Sequence, residues 1–275
     1  MQKRLIMVLA VVLLTVLGVV AWEGLRTREP VYQGKRLSQW MECFSPNRMG
    51  NLRSDDQRLA RAALAQAGTN AIPVLLKMLQ AEESPGSRIM FLLSRQRVLK
   101  IRYFQPRDRN WSALIGFLYY RESASNAVPA LMKMLDGSRS AICQENAARA
   151  LTYIGPAAKS AIPALLRSAT STNNAVCRES ISALGDVRPE PELIVPALVS
   201  ALRRPDTTVQ DMASTILRSY GPAAASAVPS LIELLKNQNQ GARFHAALCL
   251  LAIDPNVAVK AGLDPNALGL RPLPH

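Results

Sequence analysis

Residues 161–166 read Ala161-Ile162-Pro163-Ala164-Leu165-Leu166, and this pattern decides the fold because variants of it return along most of the chain. The prolines of the five copies are spaced 56, 34, 33 and 33 residues apart, at Pro73, Pro129, Pro163, Pro196 and Pro229. A fixed period of this length is typical of supersecondary units that stack on one another, because one unit alone cannot bury its apolar face. The sequence therefore predicts an array of stacked repeats.

Each repeat is predicted to contain two helices. The residue before each proline and the second and sixth residues after it are mostly apolar, which is the spacing of one buried helical face. In four copies the residue three before the proline is polar, which predicts a helix N-cap there, at Asn70, Asn126, Ser160 and Ser226. The fourth copy departs from this rule with Leu193. The preceding helix ends at Gly155-Pro156 and at Gly221-Pro222, where glycine accepts a left-handed conformation and proline stops the helix.

These features resemble the HEAT-repeat family in its short bacterial form, in which about 33 residues form one helix pair. The resemblance implies an all-α, right-handed α-solenoid of about five to six helix pairs over residues 55–255, followed by a capping segment and loose tail at 256–275. One more helix of the kind that begins each repeat is expected at 241–253. Residues 23–54 are expected to link the solenoid to what precedes it, with Ser38 capping a short helix through Phe44 and Trp40 packing on the first repeat.

The N-terminus has the character of a membrane anchor. A short head, residues 1–4, is followed at 5–22 by eighteen residues without a charge, and a helix of that length covers about 27 Å, close to the hydrocarbon thickness of a bilayer. We interpret this stretch as an uncleaved signal anchor of a single-pass bacterial inner-membrane protein with its body on the periplasmic side. Two alternatives stay open: a cleaved signal peptide and a cytoplasmic body.

The spacing of 56 residues exceeds one period by about 23, so an insert is predicted near residues 82–105. Residues 86–121 hold eight cations and one acid, a net +7 of the chain's +13, and seven of its fourteen aromatic residues. Cations interleaved with flat rings suit an anionic partner. We therefore predict partner contacts at Arg95, Arg97, Lys100, Arg102 and Tyr103. The alternative is an extra amphipathic helix packed on the solenoid by its apolar residues: Ile89, Phe91, Leu92, Val98, Leu99 and Ile101.

A second predicted contact surface is the residue four after each proline, which we call the ladder: Lys77, Lys133, Arg167, Ser200 and Glu233. The position lies off the core stripe, and the resemblance implies that the second helices line the concave side of the solenoid. The ladder would then run along a groove from a basic to an acidic end, which suits an extended partner lying in one direction. The alternative is a solvated face without a partner.

Signals for catalysis are weak. Two histidines make a histidine-based metal centre improbable on composition, and His245 and Cys249 alone, at i and i+4, do not form a metal site. Cys143 and Cys177 are expected to be small buried residues at equivalent repeat positions. We predict no enzyme activity, no cofactor and no small-molecule substrate. The function predicted is a membrane-tethered scaffold or adaptor for a protein partner with an acidic surface. The alternatives are a nucleic-acid-binding protein with a cytoplasmic body and a lyase-like HEAT-repeat enzyme.

Overall fold

The computed structural model describes residues 29–46, 54–94, 103–138 and 140–264. It begins with a small antiparallel hairpin, β1 (Val31–Tyr32) and β2 (Lys35–Arg36), which the sequence did not predict. The first helix, α1, covers Leu37–Met41 and continues as a 3₁₀ turn over Glu42–Phe44. The anchor predicted at 5–22, the head at 1–4 and most of the tail lie outside the described residues.

The remaining helices follow in pairs. The helices in chain order are α2 (Ser54–Ala67), α3 (Ile72–Leu79), α4 (Pro85–Ser94), α5 (Pro106–Tyr120), α6 (Val128–Gly137), α7 (Ala141–Ile154), α8 (Ile162–Ser168), α9 (Asn174–Val187), α10 (Pro191–Leu202), α11 (Thr207–Tyr220), α12 (Val228–Leu234), α13 (Gln240–Ile253) and α14 (Pro255–Lys260). The first repeat is α2 with α3, and after α4, which lies in the insert, the repeats are α5 with α6, α7 with α8, α9 with α10, α11 with α12 and α13 with α14; neighbouring repeats pack on each other. The prediction of an all-α array of stacked helix pairs is confirmed for the described residues.

One continuous core runs through the array. The leucine twelve residues before its proline is fully buried in three successive repeats, at Leu151, Leu184 and Leu217. Burying a leucine side chain contributes roughly 1.5–3 kcal/mol, so these positions hold the first helices in register. Between them lie alanines with no exposed surface, such as Ala147 and Ala213, which let adjacent helices approach closely.

The predicted N-caps of the second helices are wrong. A 3₁₀ helix runs directly into each of four second helices, over Gly68–Ala71, Arg121–Ala127, Gly155–Ala161 and Gly221–Ala227, and the alanine at its end is the cap residue. No side chain caps these helices, because a carbonyl of the 3₁₀ turn accepts from the start of the α-helix, as when the Val128 N–H donates to the Ser125 carbonyl. The prolines do occupy the first turn, as predicted.

Side-chain caps lie instead on the first helices. Ser140, Asn173, Asp206 and Asn239 follow one another at intervals of 33 residues, and each accepts a backbone N–H of its helix. Ser38 is likewise not a cap: α1 begins after Arg36, and the Ser38 hydroxyl donates to the Glu29 carboxylate at 2.6 Å. Trp40 is buried and α1 packs on α2, as predicted.

The first helices end at a residue with positive φ in every repeat but the last, where α13 ends at Asp254 with a φ of −146°. Gly155 and Gly221 take φ values of 66° and 54°, which glycine adopts without strain. The equivalent position is Arg121 in α5's repeat, with φ 48° and ψ −126°, and Arg188 in α9's repeat. In this fourth repeat the second helix starts earlier, at Pro191, so Pro196 lies inside α10. This is why Leu193 does not follow the pattern of a polar residue three positions before the proline.

Candidate functional site

The basic end of the ladder is exposed. Lys77 in α3 and Lys133 in α6 are both exposed, and neither forms an ion pair with another residue that the structure describes. Further along, however, the ladder charges are paired between repeats. Arg167 binds Asp136 through two hydrogen bonds of 2.7 and 3.3 Å, and Arg203 donates to Glu233 at 3.0 Å. The predicted gradient of uncompensated charge therefore does not hold beyond the first two repeats.

A groove opens beside this basic end. Its volume is about 750 Å³, and its lining residues are Pro30, Thr69, Asn70, Ile72, Pro73, Val74, Leu76 and Asn126. The floor is apolar, while the amides of Asn70 and Asn126 are exposed at its edge. Lys77 lies one helical turn beyond Pro73, on the same side of α3. Such a groove, with an apolar floor, amide groups and nearby cations, can take an extended peptide with acidic side chains.

Most of the predicted insert contacts cannot be placed. Arg95, Arg97, Lys100 and Arg102 lie outside the described residues. Tyr103 is half-buried, immediately before α5.

Two cations at the start of α5 have partners in the insert. The Arg109 guanidinium lies 5.9 Å from the centre of the Phe104 ring, a cation–π geometry, and Arg107 lies 3.4 Å from the Glu83 carboxylate. Arg109 and Phe104 therefore show that a cation and an aromatic ring that are close in this part of the sequence are also in contact in the structure.

The alternative prediction for the insert, an amphipathic helix packed on the solenoid, can be compared with the structure only up to residue 94, because Val98, Leu99 and Ile101 lie outside the described residues. A helix forms, α4, but none of its residues is buried. Ile89 and Leu92 are 58% and 62% exposed, although both were predicted to pack against the solenoid. The helix is apolar on more than one side, so packing by a single stripe would have left part of it exposed in any case.

Ion pairs between the first helices were missed by sequence reasoning. Arg149 in α7 donates to both oxygens of Glu179 in α9, at 3.2 and 2.9 Å, and also to Glu145 at 2.7 Å. Burial of Glu179 acts to raise its pKa, but the hydrogen bonds and positive charges of Arg149 and Arg178 together outweigh that effect, so the pKa of Glu179 lies below its usual value. The detectable signal was opposite charge about one period apart, as in Asp136 with Arg167. This network joins neighbouring repeats.

The two cysteines predicted to be equivalent are offset. Cys143 is three residues beyond its N-cap and Cys177 is four beyond its own, so they face different surroundings. Both are buried, as predicted. The Cys143 thiol donates to the Glu82 carboxylate at 3.1 Å, and the Cys177 thiol donates to the Ala169 carbonyl at 3.0 Å. Burial raises the pKa of both thiols, which disfavours the reactive thiolate.

His245 has a different neighbour from the one its spacing suggested. Its Nε2 lies 3.0 Å from the Asp211 carboxylate, whereas the Cys249 thiol lies near the hydroxyl and carbonyl of Ser214. Burial lowers the pKa of His245 despite the carboxylate, because Asp211 is mostly in water. Among the described residues, no three histidine, cysteine, aspartate or glutamate side chains cluster in a way that could hold a metal ion.

Within the described part of the chain, no helix is both long enough and apolar enough to cross a bilayer. The anchor predicted from the sequence is not among these helices, since it falls at residues 5–22.

One comparison with known proteins agrees with the repeat architecture. The family model of the armadillo/β-catenin-like repeat matches residues 124–155, from the 3₁₀ turn before α6 to the end of α7. No curated protein matches the chain. Among solved structures, the chain is similar to the crystal structure of an engineered protein, with 22% sequence identity, a TM-score of 0.43, and coverage of 80% of this chain and 96% of that one. The matched repeat and the succession of helix pairs support helical repeats of the armadillo and HEAT type in this chain.

Proposed function

We propose that the chain is a non-enzymatic repeat scaffold that binds an acidic, extended segment of a protein partner at its N-terminal end. The observation that carries the proposal is the open groove beside α3 and α6, together with the exposed cations Lys77 and Lys133. Armadillo-like and HEAT-like arrays present continuous surfaces of this kind to partner proteins. Fold analogy alone does not identify a partner, so the argument rests on this groove.

The cations favour an acidic partner for an electrostatic reason. Exposed charges contribute little affinity singly, but they accelerate encounter with a surface of opposite sign and select against basic partners. Arg167, the third predicted contact, is already bound to Asp136, so we assign it a smaller part. The predicted contacts Arg95, Arg97, Lys100 and Arg102 stay predictions for the undescribed segment.

The proposal also includes a tether. Residues 5–22 would anchor a right-handed solenoid to a bacterial inner membrane, with the body on the periplasmic side. The length and apolar character of that stretch support the anchor. A C-terminal topology reporter tests it: phosphatase activity supports the orientation, and cytoplasmic fluorescence contradicts it.

The partner contact is tested by placing a photo-crosslinking residue at Asn126, which lines the groove, in the full-length chain. We expect a discrete crosslinked protein in cells, and we expect the variant K77E/K133E to lose it. The matched control is K159E, which reverses an exposed cation in the turn before α8. Crosslinking that survives K77E/K133E, or that is lost equally in K159E, would contradict the proposal.

A further inference from the structure

The outward side of α5 differs in chemistry from the same side of the helices that follow. We define the outer stripe as the positions 10, 6, 3 and 2 residues before the C-cap residue of each first helix, which is Arg121 for α5, Gly155 for α7, Gly221 for α11 and Asp254 for α13. In α5 these positions are apolar or aromatic: Trp111, Ile115, Leu118 and Tyr119. In α11 they are Asp211, Thr215, Arg218 and Ser219, and in α7 they include Glu145 and Arg149.

Three of the four side chains of this stripe are exposed, and Ile115 is half-buried. Trp111 is 40% exposed and Tyr119 is 44% exposed, and Leu118 is also exposed. A single exposed apolar residue on a soluble protein needs no explanation, but a stripe of them on a helix marks an interaction surface. The repeat makes the contrast sharp, because the same architecture tolerates polar residues at these positions in α11.

The neighbouring helix α4 adds to the surface. Ile89, Met90 and Leu92 are all exposed on it. The start of α4 is held near the start of α5, because Glu83 pairs with Arg107 at 3.4 Å and the Asn110 amide donates to the Ala81 carbonyl at 3.1 Å. We call the exposed apolar residues of α4 and the outer stripe of α5 the insert surface.

Cations outnumber acids around the insert surface in the sequence: residues 82–122 hold eight cations against Glu82, Glu83, Asp108 and Glu122, and four of the eight lie at 95–102, outside the described residues. Arg88 on α4 and Arg121 at the end of α5 are exposed, and neither forms an ion pair in the part of the chain that the structure describes. Residues 86–121 as a whole carry a net +7. Apolar and aromatic side chains surrounded by cations are the composition of segments that lie in the interface of anionic membranes, where each cation contributes about 1 kcal/mol.

The position of the surface in the chain points to the same partner. If residues 5–22 span a bilayer, Glu29 follows Trp22 by seven residues, which reach about 25 Å at full extension. The hairpin and α1 therefore stay close to the bilayer, and α5 packs against α1 and the 3₁₀ turn that follows it. The insert surface thus lies at the tethered end of the array.

We propose that the insert surface lies on the membrane leaflet that faces the solenoid, with its apolar and aromatic residues in the lipid interface and the surrounding arginines at anionic headgroups. The proposal rests on the tether of the proposed function but not on its protein partner. It assigns the two ends of the array different neighbours: lipid at α4 and α5, water at α11 and α13.

The test is tryptophan quenching by brominated anionic lipid in the reconstituted full-length chain. The contribution of Trp111 is the difference between the natural chain and W111F, since Trp22 and Trp40 are common to both. Phe244 provides a matched control position. It lies on the outer side of α13 and is 47% exposed, so W111F/F244W moves the probe to the far end of the array. We expect strong loss of Trp111 emission and none at F244W.

Two further variants test the chemistry. R88E/R121E is expected to reduce the quenching of Trp111, and replacing anionic by zwitterionic brominated lipid is expected to do the same. Unquenched Trp111, or equal quenching at Trp111 and F244W, would overturn the proposal. Loss of self-association in L118D with Trp111 unquenched would assign the surface to a second copy, and so overturn it too. K77E/K133E should leave the quenching unchanged, which separates this result from failure of partner binding.

Discussion

The three repeats from α7 to α12 and the region of α4 and α5 obey different rules. In the regular repeats, polar side chains that leave the core are joined to the next repeat, as Arg149 is to Glu179 and Asn174 is to Asp206. In the insert region, apolar residues and cations are left exposed. In the regular part, exposed large apolar side chains are isolated, at Ile142 and Leu193, whereas seven such side chains lie on α4 and α5. The difference suggests that periodicity encodes the scaffold and that contacts are made where the period breaks.

The largest expected difference between the two regions is in the free energy of unfolding when one leucine in each is truncated to alanine. L217A removes a fully buried side chain from α11 and is expected to lower the free energy of unfolding by about 2–5 kcal/mol, through lost burial and the cavity that remains. L92A, on exposed α4, is expected to change it by less than about 0.5 kcal/mol. Denaturant unfolding of both variants measures this contrast. A similar loss in L92A would mean that α4 is part of the packed core.

The next effect concerns the ion pairs between repeats. R149M leaves the Glu179 carboxylate, which is only 13% exposed, with fewer partners, and is expected to cost about 1–3 kcal/mol at neutral pH. The control R88M on α4 should be almost neutral. Because the pKa of Glu179 is lowered in the folded state, its contribution is present above its ordinary value of 4.5 and is lost as pH falls below it. The cost of R149M should therefore shrink in acid, and a pH-independent cost would contradict this account.

A smaller effect is expected from the backbone at the ends of the first helices. R121G should raise the free energy of unfolding by about 1 kcal/mol, because glycine adopts the positive φ there without strain, although it also loses more freedom on folding. The reverse change, G155A, should destabilise the fold by a similar amount. Space is available for the added methyl group, so the cost comes only from the strain of a positive φ in alanine. Thermal unfolding of both variants checks the pair. No gain in R121G would imply that the arginine makes a stabilising contact.

The smallest effect is a pH dependence at the far end of the array. The folded-state pKa of His245 is below its ordinary value of 6.5, so the unfolded chain binds the proton more readily. Stability should be complete above about pH 6.5 and should decline as pH falls from there towards the lowered pKa. H245Q should flatten this part of the profile, measured by denaturant unfolding between pH 5 and 7. A profile unchanged in H245Q would contradict the assignment.

Much of the scaffold was predictable because the residues that form its core recur in successive repeats. The leucines of the first helices and the prolines of the second helices recur with the period, and these equivalent positions take equivalent places in the packing of successive repeats. Short local patterns, such as those that predicted side-chain N-caps, were less dependable. Asn126 and Ser160 precede prolines in the manner of N-caps, but the 3₁₀ turn supplies backbone acceptors and makes a side-chain cap unnecessary.

The candidate contact surfaces were predictable only in part. Composition identified the insert as basic and aromatic, yet composition cannot tell whether an apolar helix such as α4 is packed or exposed. The pairing of Arg167 with Asp136 depends on how repeats are placed side by side, which a single helix pattern does not contain. The exposure of Lys77 and Lys133 followed directly from their position off the core stripe.

The most direct test of the contrast between scaffold and insert is hydrogen exchange of the full-length chain in detergent and in bilayers that contain anionic lipid. The account predicts that α7, α9 and α11 exchange slowly in both conditions, because they form the core of the array. It predicts that α4 exchanges rapidly in detergent and is protected in the bilayers. Protection of α4 in detergent equal to that of α9, or no change in α4 on transfer to anionic bilayers, would contradict it.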